Sequence, residues 1–275
     1  MSHGVLQSPV VASSFSLATW NILATSYIRA KFYPGTPPSV LDPEWRIPAI
    51  VRHATGLGVD ILCLQEVERP VFAALAAGLA ESGYAGTFAP KDGGKPDGCA
   101  AFLRTSICEL LTARRIVYAD SLDGAADSGH IGQLLLLNVS GMKVALVNTH
   151  FKWDPPQTPA ERQVGLRQAK LALAALQQEE SSSIQMICGD FNATPDSDLV
   201  ECLIQAGFDY THRSCANAFT CNSNRKAKLI DYVFFRGAAR AEPEPLLPID
   251  GLTPLPSVEQ PSDHLPLIAR IYVDR

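Results

Sequence analysis

The sequence predicts a mixed α/β fold in which two β-sheets pack face to face and helices cover the outside. Three observations predict it. Short β-branched or continuously apolar runs alternate with longer runs of helical period. Neighbouring runs such as 132–139 and 142–149, joined through Ser140 and Gly141, read as antiparallel hairpins. Strand–helix–strand units lie before and after those hairpins, a mixture that a purely parallel sheet would not contain.

Taken in order, strands are expected at 15–22, 59–64, 84–89, 99–104, 132–139, 142–149, 184–188, 229–235 and 266–273. Several are apolar throughout, as strands covered on both faces are. Helices are expected at 43–56, 68–82, 158–179 and 196–206. The first opens with Asp42 as its N-cap and Pro43 at the first helical position, and Pro48 a turn later is placed to kink it. In the third, Leu166, Ala169, Leu173 and Leu176 share one face, and Thr158 to Glu161 forms a capping-box pattern at its start.

The chain has 275 residues, of which 47% are hydrophobic, enough for a substantial core. The reading is a loose leader over 1–14 followed by a single domain over 15–275. The leader has neither the positive start nor the apolar centre of a secretory signal. No apolar run approaches the ~18 residues of a membrane-spanning helix. The seven cysteines are an odd number with no C-x-x-C pair, and Cys63 and Cys188 sit inside apolar runs, which suits thiols in a reducing cytoplasm. A net charge of −5 speaks against a broad face that coats nucleic acid but leaves room for a grip on a few phosphates.

Eight polar residues stand at the ends of the expected strands or interrupt them: Asn21, Glu66, His150, Asp190, Asn192, Asp231, Asp263 and His264. Singly, each has a structural explanation, a turn, a cap or a packed ring. Together their chemistry is coherent. Glu66 and Asn21 offer hard oxygen donors of the kind Mg²⁺ accepts while keeping several waters. Asp190 suits the orientation or deprotonation of an attacking water. Asn192 and His150 suit donation to oxygens gathering negative charge around phosphorus. Asp231, costly if buried alone, suits a dyad with His264 that favours a protonated ring. No nucleophile elbow and no G-x-x-x-x-G-K-[ST] phosphate loop is present, so direct attack by water is the economical mechanism.

The ordered segments "TWNILA", "CLQEVE", "PDGCAAF", "NTHFKWDP", "GDFNATPDS", "IDYVFF" and "PSDHLPL" resemble the endonuclease/exonuclease/phosphatase superfamily. Within it they look most like the branch of the carbon catabolite repression deadenylases, nocturnin, the angel proteins and the mitochondrial 2′-phosphodiesterase. The resemblance runs from about residue 15 to the last residue. It implies a four-layer αββα sandwich of two mixed, mostly antiparallel sheets flanked by helices, with the site at one edge of the paired sheets. It also implies one or two Mg²⁺ ions, Mn²⁺ often substituting, held chiefly by Glu66 with Asn21 and Asp263 close by. Asp190, Asn192, Asp231, His150 and His264 match the family's catalytic positions. The chain departs from the pattern at "WRIP" 45–48, where the family commonly has "WEYR", and it has no leucine-rich-repeat segment.

The favoured substrate is the 3′ end of single-stranded RNA, degraded 3′ to 5′ with poly(A)-like tails preferred. Phe151, Trp153, Tyr27 and Phe32 are placed to stack bases. Lys31, Lys91, Lys95, Lys152, Arg162 and the run 225–228 are placed to hold phosphates, although a charge run is more often a solvated face. The alternative is a small phosphorylated nucleotide, such as one bearing a 2′-phosphate or a 2′,3′-cyclic phosphate. A non-catalytic binding module is the third reading.

Overall fold

The computed structural model describes residues 13–179, 181–237 and 239–273. In chain order its elements are β1 (Ser13–Asn21), α1 (Pro38–Leu41), α2 (Pro43–Gly56), β2 (Ile61–Glu68), α3 (Arg69–Ala80), β3 (Tyr84–Pro90) and β4 (Asp97–Arg104). There follow β5 (Cys108–Val117), β6 (Ile131–Val139), β7 (Met142–His150), α4 (Val164–Gln177), β8 (Ile184–Asp190) and α5 (Asp198–Gln205). The chain closes with β9 (Asp209–Tyr210), β10 (Cys221–Ser223), β11 (Lys226–Lys228), β12 (Asp231–Gly237), β13 (Ala239–Pro243) and β14 (Leu267–Val273).

Two six-stranded sheets carry the fold, in the orders β13-β14-β1-β2-β4-β3 and β5-β6-β7-β8-β12-β9. Each is antiparallel except for one central parallel pair, β1 with β2 and β7 with β8. A parallel pair needs a crossover, and α2 and α4 supply the two. Between the sheets, Leu17, Ile61 and Leu103 from one side meet Leu135, Leu146, Met186 and Val233 from the other in one buried cluster. The outer face of the first sheet is closed by Ile50, Ala54, Val71, Leu75 and Leu79 of α2 and α3. That of the second is closed by Ala169, Leu173, Leu176, Leu199 and Leu203 of α4 and α5. The result is the four-layer sandwich.

The expected strands all form, with their ends shifted by a few residues. β5 was not expected: nearly all its side chains face solvent on a sheet edge, so it has no apolar alternation to read. The short strands β9, β10, β11 and β13 also carry too few residues for a pattern. Asp42 caps α2 as expected, accepting from Glu44 N at 2.8 Å, and the helix runs through Pro48 to Gly56 without a break. The third helix is a correction. It starts at Val164, where the Asp154 carboxylate accepts from Val164 N and Gly165 N at 3.0 and 2.7 Å, and Thr158 to Glu161 forms no capping box. A carboxylate from the preceding loop meets the free N–H groups of the first turn better than a local hydroxyl does. Of the expected leader, 1–12 lie outside the described residues, while Ser13 and Ser14 already pair with Val273 and Tyr272. No helix among the described residues is long and apolar enough to cross a membrane.

Candidate active site

Three of the predicted residues occupy one rung of the second sheet. His150 ends β7 opposite Asp190, which ends β8, and Asp190 in turn faces Asp231, which begins β12. The first sheet brings Asn21, at the end of β1, opposite Gln65 of β2. Glu66 reaches the same rim through a β-bulge: the β2–β4 register slips between Leu64 and Val67, and Glu66 takes a positive φ of 58°. A bulge re-aims one side chain without unpairing the strand. Gln65 consequently turns into the core, where its amide donates to Asn148 Oδ1 at 2.8 Å across the two sheets. Asp263 and His264 arrive in the loop before β14, held by Ser262 Oγ donating to Asn21 O at 2.7 Å and by Trp20 Nε1 donating to His264 O at 2.9 Å.

The geometry is dense. Asp190 Oδ2 accepts from Asn21 Nδ2 at 2.9 Å and lies 3.6 Å from His150 Nε2 and 3.7 Å from His264 Nε2. Asp231, fully buried, accepts from His264 Nδ1 at 2.9 Å and from the Thr220 hydroxyl at 2.6 Å. Glu66 accepts from Ala24 N at 2.8 Å and Asn21 Nδ2 at 3.1 Å. Lys91, buried in an ion pair with Asp97 at 2.7 Å, brings its ammonium within 3.4 Å of His150 Nδ1. Tyr27 donates to the other oxygen of Asp97 at 2.7 Å.

These contacts set the charges. Burial, with the Asp231 carboxylate adding to it, pushes Asp190 up to about 7, although His264 opposes the shift. Burial also raises Glu66 and Asp263. His264 is the exception: burial would lower it, but its neighbours, Asp231 foremost, hold the ring well above the usual histidine range. His150 is driven well below that range by burial and by Lys91, so its ring is neutral. Neutral His130 stands edge-on to it at 5.4 Å.

A cavity of about 630 Å³ opens on this rim, lined by Glu66, His150, Asp190, Asn192, Asp263 and His264, with Trp153, Cys221, Lys226 and Lys228 around them. A metal ion fits the donor set. Asp263 Oδ1 is buried with no hydrogen-bond partner, and Glu66 offers a second carboxylate on the same cavity. A buried carboxylate oxygen without a donor is costly unless a cation meets it.

Several expectations need correction. Asn21 turns its amide nitrogen, not its oxygen, to the two acids, and Oδ1 accepts from Leu23 N at 2.9 Å. Asn192 Nδ2 donates to Phe151 O at 3.0 Å and lies 2.9 Å from His150 Nε2, so both side chains are engaged with each other within the protein. Phe151 cannot stack a base: it is fully buried between Tyr118 and Phe191, since it follows directly on a central strand. Arg162 is exposed and paired with Asp123 at 3.1 Å, off the cavity lining. Phe32 lines a separate cavity, with Lys31 over its ring at 5.3 Å. Lys95 does not line the site, although its charge reaches His150. Trp153 is 52% exposed on the rim, and with Lys152 it also lines an adjoining cavity of about 300 Å³. Of the run 225–228, Lys226 and Lys228 do reach the mouth.

Sequence reasoning missed the supports. Arg46, 1% exposed, donates to Ile22 O at 2.8 Å, to Pro261 O at 3.2 Å and to Leu23 O, tying the loop after β1 to the loop carrying Asp263. An arginine inside an apolar helical pattern was the available sign. Thr220 and Tyr33, which bond Asp231 and Asp263, carried none.

The pattern of the Endonuclease/Exonuclease/phosphatase family matches residues 18–264, and the chain belongs to that family, whose enzymes are metal-dependent. Its curated relatives include the CCR4-Not complex 3′-5′-exoribonuclease subunit Ccr4 of Candida glabrata, 26% identical over 326 residues. That match covers 96% of this chain but 37% of the relative. Mouse 2′,5′-phosphodiesterase 12 is 26% identical over 310 residues, covering 91% of this chain and 50% of that protein. The chain thus spans half or less of the length of these relatives. Among solved structures, ANGEL2, a 2′,3′-cyclic phosphatase, superposes with a TM-score of 0.84 at 21% identity over 99% of this chain and 100% of the other. The human nocturnin catalytic domain reaches 0.73 at 24% identity, covering 95% of each chain.

Proposed function

We propose that this chain is a Mg²⁺-dependent phosphodiesterase that hydrolyses phosphoester bonds at nucleotide ends by direct attack of water. The observation that carries the reading is Asp190 Oδ2 suspended between two imidazoles, 3.6 and 3.7 Å away, on the rim that Glu66 and Asp263 share. Asp190, lifted to about 7, is suited to take the proton of a water near neutral pH. His264, kept protonated by Asp231, turns a positive edge toward the phosphorus centre as charge builds there. Asn21 holds the Asp190 and Glu66 carboxylates apart through one amide. Glu66 and Asp263 would hold the cation, Mn²⁺ being able to replace Mg²⁺ there. When bound, the cation supplies charge stabilisation at the phosphoryl oxygens and orients the substrate.

The favoured substrate is the 3′ end of single-stranded RNA, consistent with the exoribonuclease name of the Ccr4 relative. A small nucleotide or a 2′,3′-cyclic end is the second reading. It is supported by Trp153, the one strongly exposed aromatic among the described residues at the mouth, which offers one stacking surface rather than a ladder for several bases. The test offers purified protein with Mg²⁺ oligoadenylate RNA, mixed RNA, single-stranded DNA, NADP and a 2′,3′-cyclic end. Stepwise shortening from the 3′ end supports the first substrate, and turnover confined to the small ones supports the second. No turnover on any of them, with Mg²⁺ bound, sinks the hydrolase reading.

A further inference from the structure

We propose that Cys221, Asp263 and His264 form a binding site for a thiophilic divalent cation of the Zn²⁺ class, whose occupancy shuts the hydrolytic centre. One ligand atom from each residue, a thiol sulfur, a carboxylate oxygen and a ring nitrogen, lies within 4.8 Å of the other two. All three side chains are buried, at 4, 6 and 5% exposure, yet all line the cavity of about 630 Å³, which gives an ion its way in.

The site is assembled by the backbone. Cys221 and His264 face each other across an isolated antiparallel bridge. Asn222 N donates to Asp263 O at 2.9 Å and Leu265 N to Thr220 O at 2.7 Å on either side of it. Two further features suit a cation. Asp263 Oδ1 is buried without a partner, while its other oxygen accepts from Tyr33 at 3.2 Å. His264 is anchored through Nδ1 on Asp231, which leaves Nε2 as the coordinating atom. A carboxylate behind the ring is the usual support of a metal-bound histidine.

Ligand chemistry separates this ion from the one the hydrolytic reading needs. Mg²⁺ prefers oxygen donors and keeps its waters, whereas a thiolate, an imidazole and a carboxylate suit Zn²⁺. On binding, the Cys221 thiol proton and the His264 Nε2 proton both pass to solvent, and water fills the fourth position. Asp263 and His264 cannot serve both ions at once. That consequence rests on the hydrolase reading, while the binding itself does not.

The test titrates Co²⁺, a spectroscopic stand-in for Zn²⁺, into the full chain under saturating Mg²⁺. A thiolate-to-cobalt charge-transfer band is expected in the wild type and in Cys215→Ser, which alters an exposed thiol. The band is expected to vanish in Cys221→Ser and Cys221→Ala and to be displaced by Zn²⁺ in the wild type. In Mg²⁺-supported hydrolysis of an RNA oligonucleotide, with each protein's inhibition scaled to its own Zn²⁺-free rate, Cys221→Ser is expected to need roughly 100-fold more Zn²⁺ for half-inhibition. A band that persists in both Cys221 variants, or an unchanged Zn²⁺ midpoint, overturns the proposal. Absent turnover with the band intact supports the site and counts against the hydrolase reading alone. Should both variants misfold, wild-type protein still decides: Zn²⁺ must slow alkylation of Cys221, read by peptide mass, and equal labelling with and without Zn²⁺ rejects the site.

Discussion

At the scale of single residues, the site depends on how burial redistributes charge. Asp190 and Asp231 are neighbours on one rung, and two ionised carboxylates there would repel. Asp231 is neutralised by His264, and Asp190 is lifted to about 7, so the pair divides into a counter-ion and a base. Asp190→Ala is expected to lower turnover by about 10²–10⁴-fold while leaving Mg²⁺ affinity close to wild type, as measured by calorimetry. A variant that keeps most of its rate removes Asp190 from the role of base. Asp231→Ala and His264→Ala should be strongly non-additive, the double variant losing little more than either single one, because each change disables the same dyad. A product of the two losses in kcat would mean the residues act separately. At this scale the eight polar residues were legible because a polar group at a strand end has to be justified. Their orientation was not: whether Asn21 presents oxygen or nitrogen depends on Leu23 N, which local sequence does not specify.

At the scale of elements, two parallel pairs and one bulge set the site. Parallel strands end side by side at their carboxyl ends, which is where open α/β sheets collect functional groups. Gly189, preceding Asp190, is required by this arrangement. Its φ is 140°, and a Cβ there would stand 1.7 Å from Thr149 O on the paired strand β7. Gly189→Ala is therefore expected to destabilise the protein by about 3 kcal/mol or more, read from urea midpoints. A loss below about 1 kcal/mol would show that β7 and β8 can part locally. Nine of the ten strands of seven or more residues were readable from apolar runs, and the stripe on α4 was readable from its period. β5 was not, because an exposed edge strand buries too little to impose a pattern. The start of α4 was misplaced because Asp154, which caps it, belongs to a loop ten residues earlier.

At the scale of the whole molecule, the fold is held by the apolar layers beneath the helices and by the layer between the sheets. Leu135, with no exposed surface, belongs to that layer, and Leu135→Ala should cost about 2–5 kcal/mol. Acid should act partly through His130, whose Nδ1 lies 2.8 Å from His150 O and which burial, helped by Lys91, lowers to about 4. A base whose folded-state affinity for protons is depressed binds more protons when unfolded, so stability falls as pH drops from about 6.5 to about 4. The loss is on the order of 3 kcal/mol. The raised carboxyls Asp190, Glu66 and Asp263 titrate in the opposite sense, so the measurement is the difference between wild type and His130→Gln. The variant should have the flatter acid limb, and parallel pH profiles would exclude His130 as a contributor.

Local pattern sufficed for the class of fold, for the strand ends where chemistry gathers and for the reaction those residue types favour, since apolar period and a misplaced charge are properties of a short stretch of chain. Which side chains meet was settled only by packing. Lys91 beside His150, Arg46 between two loops, Phe151 withdrawn into the core and Cys221 against His264 are contacts between segments tens to hundreds of residues apart. Their geometry follows from sheet register and from burial, and neither quantity exists until the two sheets have closed on each other.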